Sequence, residues 1–317
     1  MKRLIAGLAL ALTTLTAQAA YPEKPIRLVV PFPAGSGTDI VARELADEMS
    51  RDLKQVIVID NKGGAQGIIG MQSAATSPGD GYTLVVLGVT TGASNVSLFK
   101  KLPYDPIKDL TPIGMIADSP IVLVGSTKVP ANNLDDLVKY GRANPGKLSY
   151  GFGSGSAQVA AARVVSMGKF EAVPIAYKGS PQALVDVMNG QVDFMFVDLS
   201  VAVSQMAAGK VKAFGVSTKA RFAQAPDIPS IHEAGLPGYD LSVWFALAGP
   251  AGMPPEIVAR VSQALNNALR SPALVEKFRT KGLAVKPSTP AEFGVFLRSE
   301  IALWGEMIRE AKIPAQD

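Results

Sequence analysis

The chain of 317 residues contains no cysteine and a single histidine, His232. Without cysteine it can form neither disulfides nor reactive thiols, and metal sites built from cysteine or several histidines are excluded by count. Charge is nearly balanced, because Lys and Arg total 31 against 27 Asp and Glu. A net charge of +4 is too small to indicate a nucleic-acid partner. Because disulfides are excluded, the stability of the fold must come from packing.

The sequence also lacks an apolar run long enough to span a membrane. Lys2 and Arg3 precede the apolar stretch Leu4 to Leu12, and Ala-Gln-Ala-Ala follows at 17–20. A spanning helix needs about 20 apolar residues, so a membrane anchor is the weaker alternative to a cleaved secretory signal. We expect residues 1–20 to be that signal and the mature protein to be soluble and periplasmic. Loss of the two cations lowers the formal charge from +4 to +2.

Beyond this segment, short apolar strands alternate with helical patterns. Strands are expected over 26–30, 56–59, 84–87, 121–124, 192–197, 213–216 and 244–248, and helices from Pro255, Pro272 and Pro290. Val41, Leu45, Met49 and Leu53 recur every four positions, as one helix face requires. This alternation predicts an α/β fold with mostly parallel sheets covered on both faces. In such sheets ligands bind beyond the carboxyl ends of the strands.

Two glycine-rich turns each join a strand to a helix. The first is Pro31–Asp39 and the second is Gly151–Gln158, and neither contains Arg or Lys. Glycine lets the backbone approach a ligand closely, and the start of a helix offers unpaired N–H groups to an anion. We expect Thr38 or Asp39 to cap the first helix. A single turn of this kind is more often a structural connection than a ligand-binding loop, because turns use glycine for its conformational freedom.

Several motifs together resemble one known family, the substrate-binding proteins of tripartite tricarboxylate transporters, or Bug family. They are Tyr21-Pro22-Glu23-Lys24-Pro25, Val30-Pro31-Phe32-Pro33-Ala34-Gly35, Asp80-Gly81-Tyr82-Thr83-Leu84, Leu102-Pro103-Tyr104-Asp105-Pro106, Tyr177-Lys178-Gly179-Ser180, Pro229-Ser230 with Glu233-Ala234-Gly235, and Trp244-Phe245 with Ala248-Gly249-Pro250-Ala251-Gly252. The resemblance covers essentially all of the mature chain.

The resemblance implies a type II periplasmic-binding-protein fold, with two hinged lobes and a ligand cleft between them. Lobe 1 is expected to comprise 21–122 and 241–317, and lobe 2 to comprise 123–240. Such a protein closes on a small organic carboxylate and delivers it to a membrane permease. It needs no cofactor or metal, and we expect a monomer.

The resemblance also implies the residues that hold the ligand. One carboxylate is bound mainly by backbone amides and ordered waters from the two glycine-rich loops. The implied residues are Phe32, Pro33, Ala34, Gly35, Ser36, Gly37, Thr38, Asp39, Thr90, Thr91, Ser154, Gly155, Ser156, Ala157 and Asp198. For Phe32 a packing role is the alternative, and for Asp39 a helix-capping role. We expect Trp244 and Phe245 to lie in a buried strand.

The chain departs from the family pattern at two places. The second loop is about two residues shorter than in relatives and has Gln158-Val159 where they have His. Relatives often read Phe-Asp-Asn-Leu-Pro where this chain reads Phe196-Val197-Asp198-Leu199-Ser200, so Val197 replaces an acid that can meet a ligand amino group. Either Asp198 takes the place of that acid or the ligand has no amino group, and of the two we expect a ligand without a cationic group.

A periplasmic enzyme acting on small organic acids is the alternative from another functional class. A nucleophile elbow requires Gly-x-Ser-x-Gly, and neither Ser154 nor Ser156 has the flanking glycines at that spacing. The phosphate loop Gly-x4-Gly-Lys-Ser/Thr is absent as well. We therefore predict a solute receptor with no catalytic residues.

Overall fold

The computed structural model describes residues 21–317, and the expected signal at 1–20 lies outside the described residues. Its strands are β1 (Ile26–Val30), β2 (Ile57–Asn61), β3 (Thr83–Gly88), β4 (Leu110–Ser119), β5 (Ile121–Ser126), β6 (Leu148–Phe152), β7 (Ala172–Ala176), β8 (Phe194–Asp198), β9 (Val211–Val216), β10 (Val243–Pro250) and β11 (Ala284–Val285). Its helices are α1 (Gly37–Leu53), α2 (Ile68–Ala75), α3 (Asn95–Leu98), α4 (Leu134–Ala143), α5 (Gly155–Gly168), α6 (Ser180–Asn189), α7 (Leu199–Ala207), α8 (Pro255–Arg270), α9 (Pro272–Thr280) and α10 (Pro290–Glu310).

The strands form two sheets, one in each lobe. Lobe 1 has the order β11-β4-β10-β3-β1-β2, and lobe 2 has the order β7-β6-β8-β5-β9. The α/β fold with two lobes is confirmed. Each sheet is mixed rather than mostly parallel: β1 runs parallel to β2 and β3, whereas β10 lies antiparallel between β3 and β4. Likewise β6 pairs parallel with β7 and β8, and β5 pairs antiparallel with β8 and β9.

Helix α1 illustrates how the apolar pattern builds the core of lobe 1. Val41, Leu45, Met49 and Leu53 are all buried, as their spacing predicts. They pack with apolar side chains of β1, β3 and α8 in one cluster. The helix begins at Gly37, and its N-cap is Ser36, whose hydroxyl accepts from the Asp39 backbone N–H at 3.3 Å. The expectation of Thr38 or Asp39 as the cap is wrong, because the helix starts two to three residues earlier.

The chain passes between the lobes at Pro120, between β4 and β5, and again between β9 and β10. Ser217, fully buried just after β9, joins these two crossings. Its hydroxyl accepts from the Ile121 N–H at 3.1 Å and donates to the Leu241 carbonyl at 2.7 Å. The lobe limits given above, 21–122 with 241–317 and 123–240, stay a prediction.

Several further elements lie outside the sequence-based expectations, among them strands β4, β7 and β11 and helices α3 and α7. Strand β4 is the partner of both β10 and β11. Helix α6 has Pro181 in its first turn, and its N-cap is Gly179, so no side chain caps it. Throughout 21–317, none of the helices combines the length and apolar character required to cross a bilayer.

Candidate functional site

A small cavity lies between the lobes, at the carboxyl ends of β1, β3, β6 and β8. Its volume is about 30 Å³, room for roughly two waters at 10–15 Å³ each. The wall consists of side chains and backbone from both lobes: Phe32, Ser36, Thr38, Gly88, Val89, Thr90, Ser154, Ser156, Ser180, Asp198, Val243, Trp244 and Phe245. Hydroxyl groups therefore dominate its polar surface.

Four helices begin at this cavity. Ser36 is the N-cap of α1, Ser154 is the N-cap of α5, Ser180 opens α6, and Asp198 stands in the N-cap position of α7. A helix N-terminus carries unpaired N–H groups and the positive end of the helix dipole. Four such ends around one small space make it attractive to an anion.

The first loop is held in shape by Asp39, which is 3% exposed. Its carboxylate accepts from Gly35 N, Arg43 Nε and Asn61 Nδ2, each at 2.9 Å. Burial alone raises the pKa of Asp39, but the hydrogen bonds from Arg43, Gly35 and Asn61 outweigh it and lower the pKa. The Asn61 amide also donates to the Phe32 carbonyl at 3.1 Å, so the loop is fixed from within lobe 1.

The second loop relies on the opposite lobe. Ser154 accepts from the Ala157 N–H at 3.3 Å and so caps α5. Ser156 donates its backbone N–H to Thr90 Oγ1 at 3.1 Å, and the two hydroxyls also lie 3.1 Å apart. Farther along, Gln66 Nε2 of lobe 1 donates to Gln158 Oε1 at 3.2 Å. Direct hydrogen bonds thus join the lobes beside the cavity.

Asp198 ends β8 and reaches across to lobe 1. It does not cap its own helix, and its side chain lies against the start of α1. A β-carbon placed on Gly37 would come within 2.5 Å of the Asp198 Cγ and Oδ2 atoms. Although Asp198 keeps some solvent exposure, both lobes surround the carboxyl. This burial raises the pKa of Asp198 to about 6, against an opposing effect of the Gly37 backbone amide.

The structure brings seven of the sequence-implied residues onto the cavity wall and leaves the others beside it. Those on the wall are Phe32, Ser36, Thr38, Thr90, Ser154, Ser156 and Asp198. Ala34 and Gly35 are exposed at the loop tip, and Pro33 packs against Gly179 of lobe 2. Four others lie in the loops beside the wall: Gly37 packs against Asp198 of lobe 2, Gly155 packs against Leu98 and Ser94 of lobe 1, and Asp39 and Ala157 take part in the hydrogen bonds of their loops.

Thr91 does not reach the wall. It is fully buried, and its hydroxyl accepts from the Gly88 N–H at 3.3 Å. Its carbonyl accepts from the Tyr104 hydroxyl at 2.8 Å. The role of Thr91 in the structure is therefore to fix the turn that presents Thr90.

Sequence reasoning missed Ser180 and the wall formed by β10. Ser180 follows a strand and opens a helix, the signal that identified the two glycine-rich loops. Trp244 is buried in a strand, as expected, yet it also lines the cavity. Its Nε1 donates to a Glu300 carboxylate oxygen at 2.7 Å, which fixes the indole. Val197 lies in the lobe 2 core, away from the wall.

His232, the one histidine of the chain, is not on the cavity wall. His232 lies in a turn, where its Nδ1 accepts from the Gly238 N–H at 2.9 Å. Within the part of the chain that the structure describes, no group of three or more His, Asp or Glu side chains is arranged to hold a metal ion.

Comparison with known proteins agrees with this geometry. The sequence model of the tripartite tricarboxylate transporter family receptor matches residues 41–313. Among solved structures, periplasmic binding protein BugD is 31% identical with a TM-score of 0.90, covering 93% of this chain and 100% of that one. Rpa4515 from R. palustris with adipate is 31% identical with a TM-score of 0.91 and the same coverage. MatC from Rhodopseudomonas palustris with bound malate is 30% identical, with a TM-score of 0.87 and coverage of 91% and 100%.

The match to the receptor family and the cavity between two lobes define a two-lobed solute receptor. The chain belongs to the tripartite tricarboxylate transporter receptors and, within them, to the Bug proteins. This confirms the resemblance recognised in the sequence motifs.

Proposed function

We propose that the protein binds a small organic carboxylate in the periplasm and delivers it to the permease subunits of a tripartite tricarboxylate transporter. The ligand is a di- or tricarboxylate or an aromatic acid. The observation that carries the proposal is the convergence of four helix N-termini and six hydroxyl side chains on one cavity, with no cationic side chain among the described residues of its wall.

Such a wall holds a carboxylate by hydrogen bonds and helix dipoles. Serine and threonine hydroxyls donate to an anion or position a bridging water at little cost. Thr90 and Ser156 lie on opposite lobes, so an acid between them would gain contacts from both. Structures of relatives with adipate and with malate support a dicarboxylate in particular.

An acid cannot enter the cavity while the lobes lie as close together as they do here. The cavity of about 30 Å³ holds roughly two waters, and a dicarboxylate is several times larger. Opening must break the Thr90–Ser156 and Gln66–Gln158 hydrogen bonds, whereas Ser217 keeps the two crossings together. We therefore propose that the ligand enters an open form and that the lobes close on it as rigid bodies.

The first test is thermal unfolding of the purified mature protein with adipate, malate, a tricarboxylate and an aromatic acid. A ligand at about 100 times its Kd should stabilise the fold by about 2.7 kcal/mol. Adipamide is the matched control, since it keeps the length of adipate but has no charge. Equal stabilisation by adipamide and adipate would refute an anion site.

The second test separates binding from turnover and from delivery. Proton NMR of the acid after prolonged incubation should show it unchanged, and a new product would favour the alternative of an enzyme. Small-angle scattering should show a smaller radius of gyration with saturating acid than without it. Uptake into vesicles that contain the cognate permease should require the receptor, and uptake without it would contradict delivery.

A further inference from the structure

We propose that Asp198 shares a proton with the carboxylate of the bound acid, so that capture of the acid takes up about one proton. The inference rests on the proposed function and adds to it a residue that sets the charge state in which the ligand is bound. Neither glycine-rich loop supplies this group.

Asp198 lies on the wall of the small cavity, together with the hydroxyls of Ser36, Thr38, Thr90 and Ser156. Its carboxyl is not engaged in capping α7 and touches the first residue of α1, Gly37. An acid bound between the starts of α1 and α5 therefore has Asp198 as a direct neighbour.

Within residues 21–317, Asp198 is the one ionisable side chain on the cavity wall, and when ionised it carries a charge of the same sign as the ligand. Two carboxylates that share a confined site cannot both ionise without a large cost, so one of them keeps a proton. The shared proton then makes a hydrogen bond between the two groups, which replaces repulsion with attraction.

The charged side chains near Asp198 do not offset its charge. On α1, every acid except the exposed Asp47 already has a cationic partner: Asp39 pairs with Arg43, Glu44 with Lys277 and Lys281, Glu48 with Arg51, and Asp52 with Arg260. On the other elements packed against β8 and α7, Arg163 pairs with Glu310, Asp186 accepts from Tyr177, Lys212 donates to the Val129 and Ala131 carbonyls, and Lys178 is exposed.

Burial has already raised the pKa of Asp198 to about 6. A second carboxylate beside it raises that pKa further, because the bound anion disfavours the ionised form. The pKa is thus higher in the complex than in the free receptor, and binding is favoured at low pH. Affinity should be constant below the free pKa and fall by up to tenfold for each pH unit between the free and bound pKa values.

The experiment is isothermal titration with adipate and with malate from about pH 6 to about pH 8.5, where carboxylic acids free in solution stay ionised. Each titration is repeated in buffers of different ionisation enthalpy, which gives the number of protons taken up. The proteins are the wild type, Asp198→Asn, and Asp47→Asn as a matched control on the exposed face of α1. Thermal melts check that each variant is folded.

The wild type and Asp47→Asn should lose affinity as pH rises and take up close to one proton. Asp198→Asn should bind with pH-independent affinity, take up none, and bind more tightly than the wild type by about tenfold near pH 8, since its amide donates at every pH. An acid bound by the wild type without pH dependence or proton uptake overturns the inference and leaves the proposed function standing. The same pH slope in Asp198→Asn also overturns it. If none of the acids used in the thermal test, including the tricarboxylate and the aromatic acid, binds any of the three folded proteins, both proposals fail.

Discussion

The two glycine-rich loops look alike in sequence but are stabilised in different ways. Each begins its helix with a serine N-cap, Ser36 or Ser154, whose hydroxyl lies 3.3 Å from the backbone nitrogen three residues on. Asp39 fixes the first loop through three hydrogen bonds inside lobe 1. The second loop has no comparable acid, and Ser156 instead bonds Thr90 of the other lobe. The first loop is therefore preorganised, whereas the second is completed only when the lobes meet.

This difference predicts that changes in the second loop act on binding and changes in the first act on stability. A preorganised loop contributes to the fold of its own lobe whether or not the cleft is closed. A loop completed by closure contributes instead to the balance between open and closed forms.

Ser156→Leu should weaken acid binding by about a hundredfold, equivalent to about 2.7 kcal/mol. Ser156 is 8% exposed and lies on a cavity with room for only a few atoms, so a larger side chain holds the lobes apart. Because the obstruction lies between lobes and not within one, the melting temperature without ligand should stay within about 2 °C. Calorimetry and thermal melts measure the two effects.

Ser166→Leu is the matched control, on the exposed face of the same helix. It should bind normally. A large loss of stability in Ser156→Leu with affinity intact would show that Ser156 belongs to the core of lobe 2 and not to the cleft.

Asp39→Ala should lower the free energy of unfolding by about 1–3 kcal/mol, since it leaves the Gly35 N–H and the half-buried Asn61 amide without their carboxylate acceptor. The exposed Asp47→Ala on the same helix is the control and should change stability by no more than about 0.5 kcal/mol. Denaturant unfolding measures both. If the two variants lose equal stability, the first loop is not held by Asp39.

The same acid gives a pH prediction with a definite sign. The pKa of Asp39 is lower in the folded protein than its ordinary value, so its stabilising contribution is present above the unfolded pKa. That contribution is lost as pH falls through the folded pKa, below about pH 4. Asp39→Asn should therefore show a smaller loss of stability on acidification than the wild type.

Gly37→Ala and Gly155→Ala test what the two loops share, a glycine as the first residue of the helix. A β-carbon on Gly37 would meet Asp198 of lobe 2, and one on Gly155 would lie 2.7 Å from Leu98 Cδ1 and Ser94 Oγ of lobe 1. Each should weaken acid binding by about tenfold, because close approach of the lobes becomes costly. Calorimetry with adipate measures the loss.

Gly294→Ala is the control, because the added carbon would meet only Pro112 Cγ at 3.7 Å, an ordinary contact. It lies inside α10, where alanine is preferred, so stability should rise by about 0.5–1 kcal/mol with affinity unchanged. Unchanged affinity in both loop variants would show that these glycines serve only the local turns.

The sequence predicted elements whose determinants are local. Helices α8, α9 and α10 were expected from their prolines, and the structure begins them at Pro255, Pro272 and Pro290. Pro fits the first turn of a helix because its missing N–H would be unpaired there in any case. The apolar face of α1 was equally visible. Such patterns act within a few residues, so they need no knowledge of the partner elements.

Elements that depend on distant contacts were missed or misplaced. Thr90–Ser94 forms a π-helical turn whose Thr91 is fixed by Tyr104, and no local pattern indicates it. Ser36, not Thr38, caps α1 because the first loop is folded back by Asn61 and Asp39. The hydroxyls of both loops could be proposed from strand-turn-helix patterns, but the wall contributed by Trp244 of β10 depends on sheet order and could not.

Thr90→Val should have the smallest effect and addresses the second loop most directly. The change keeps the shape of the side chain but removes a hydroxyl on the cavity wall that, together with Ser156, would donate to an acid held between the lobes. A typical hydrogen bond contributes about 1 kcal/mol, so affinity should fall about fivefold. The exposed Thr76→Val, whose hydroxyl bonds only its own helix, is the control. If Thr90→Val lowered the melting temperature without weakening binding, closure would not complete the second loop. The two loops would then not differ in how they are stabilised.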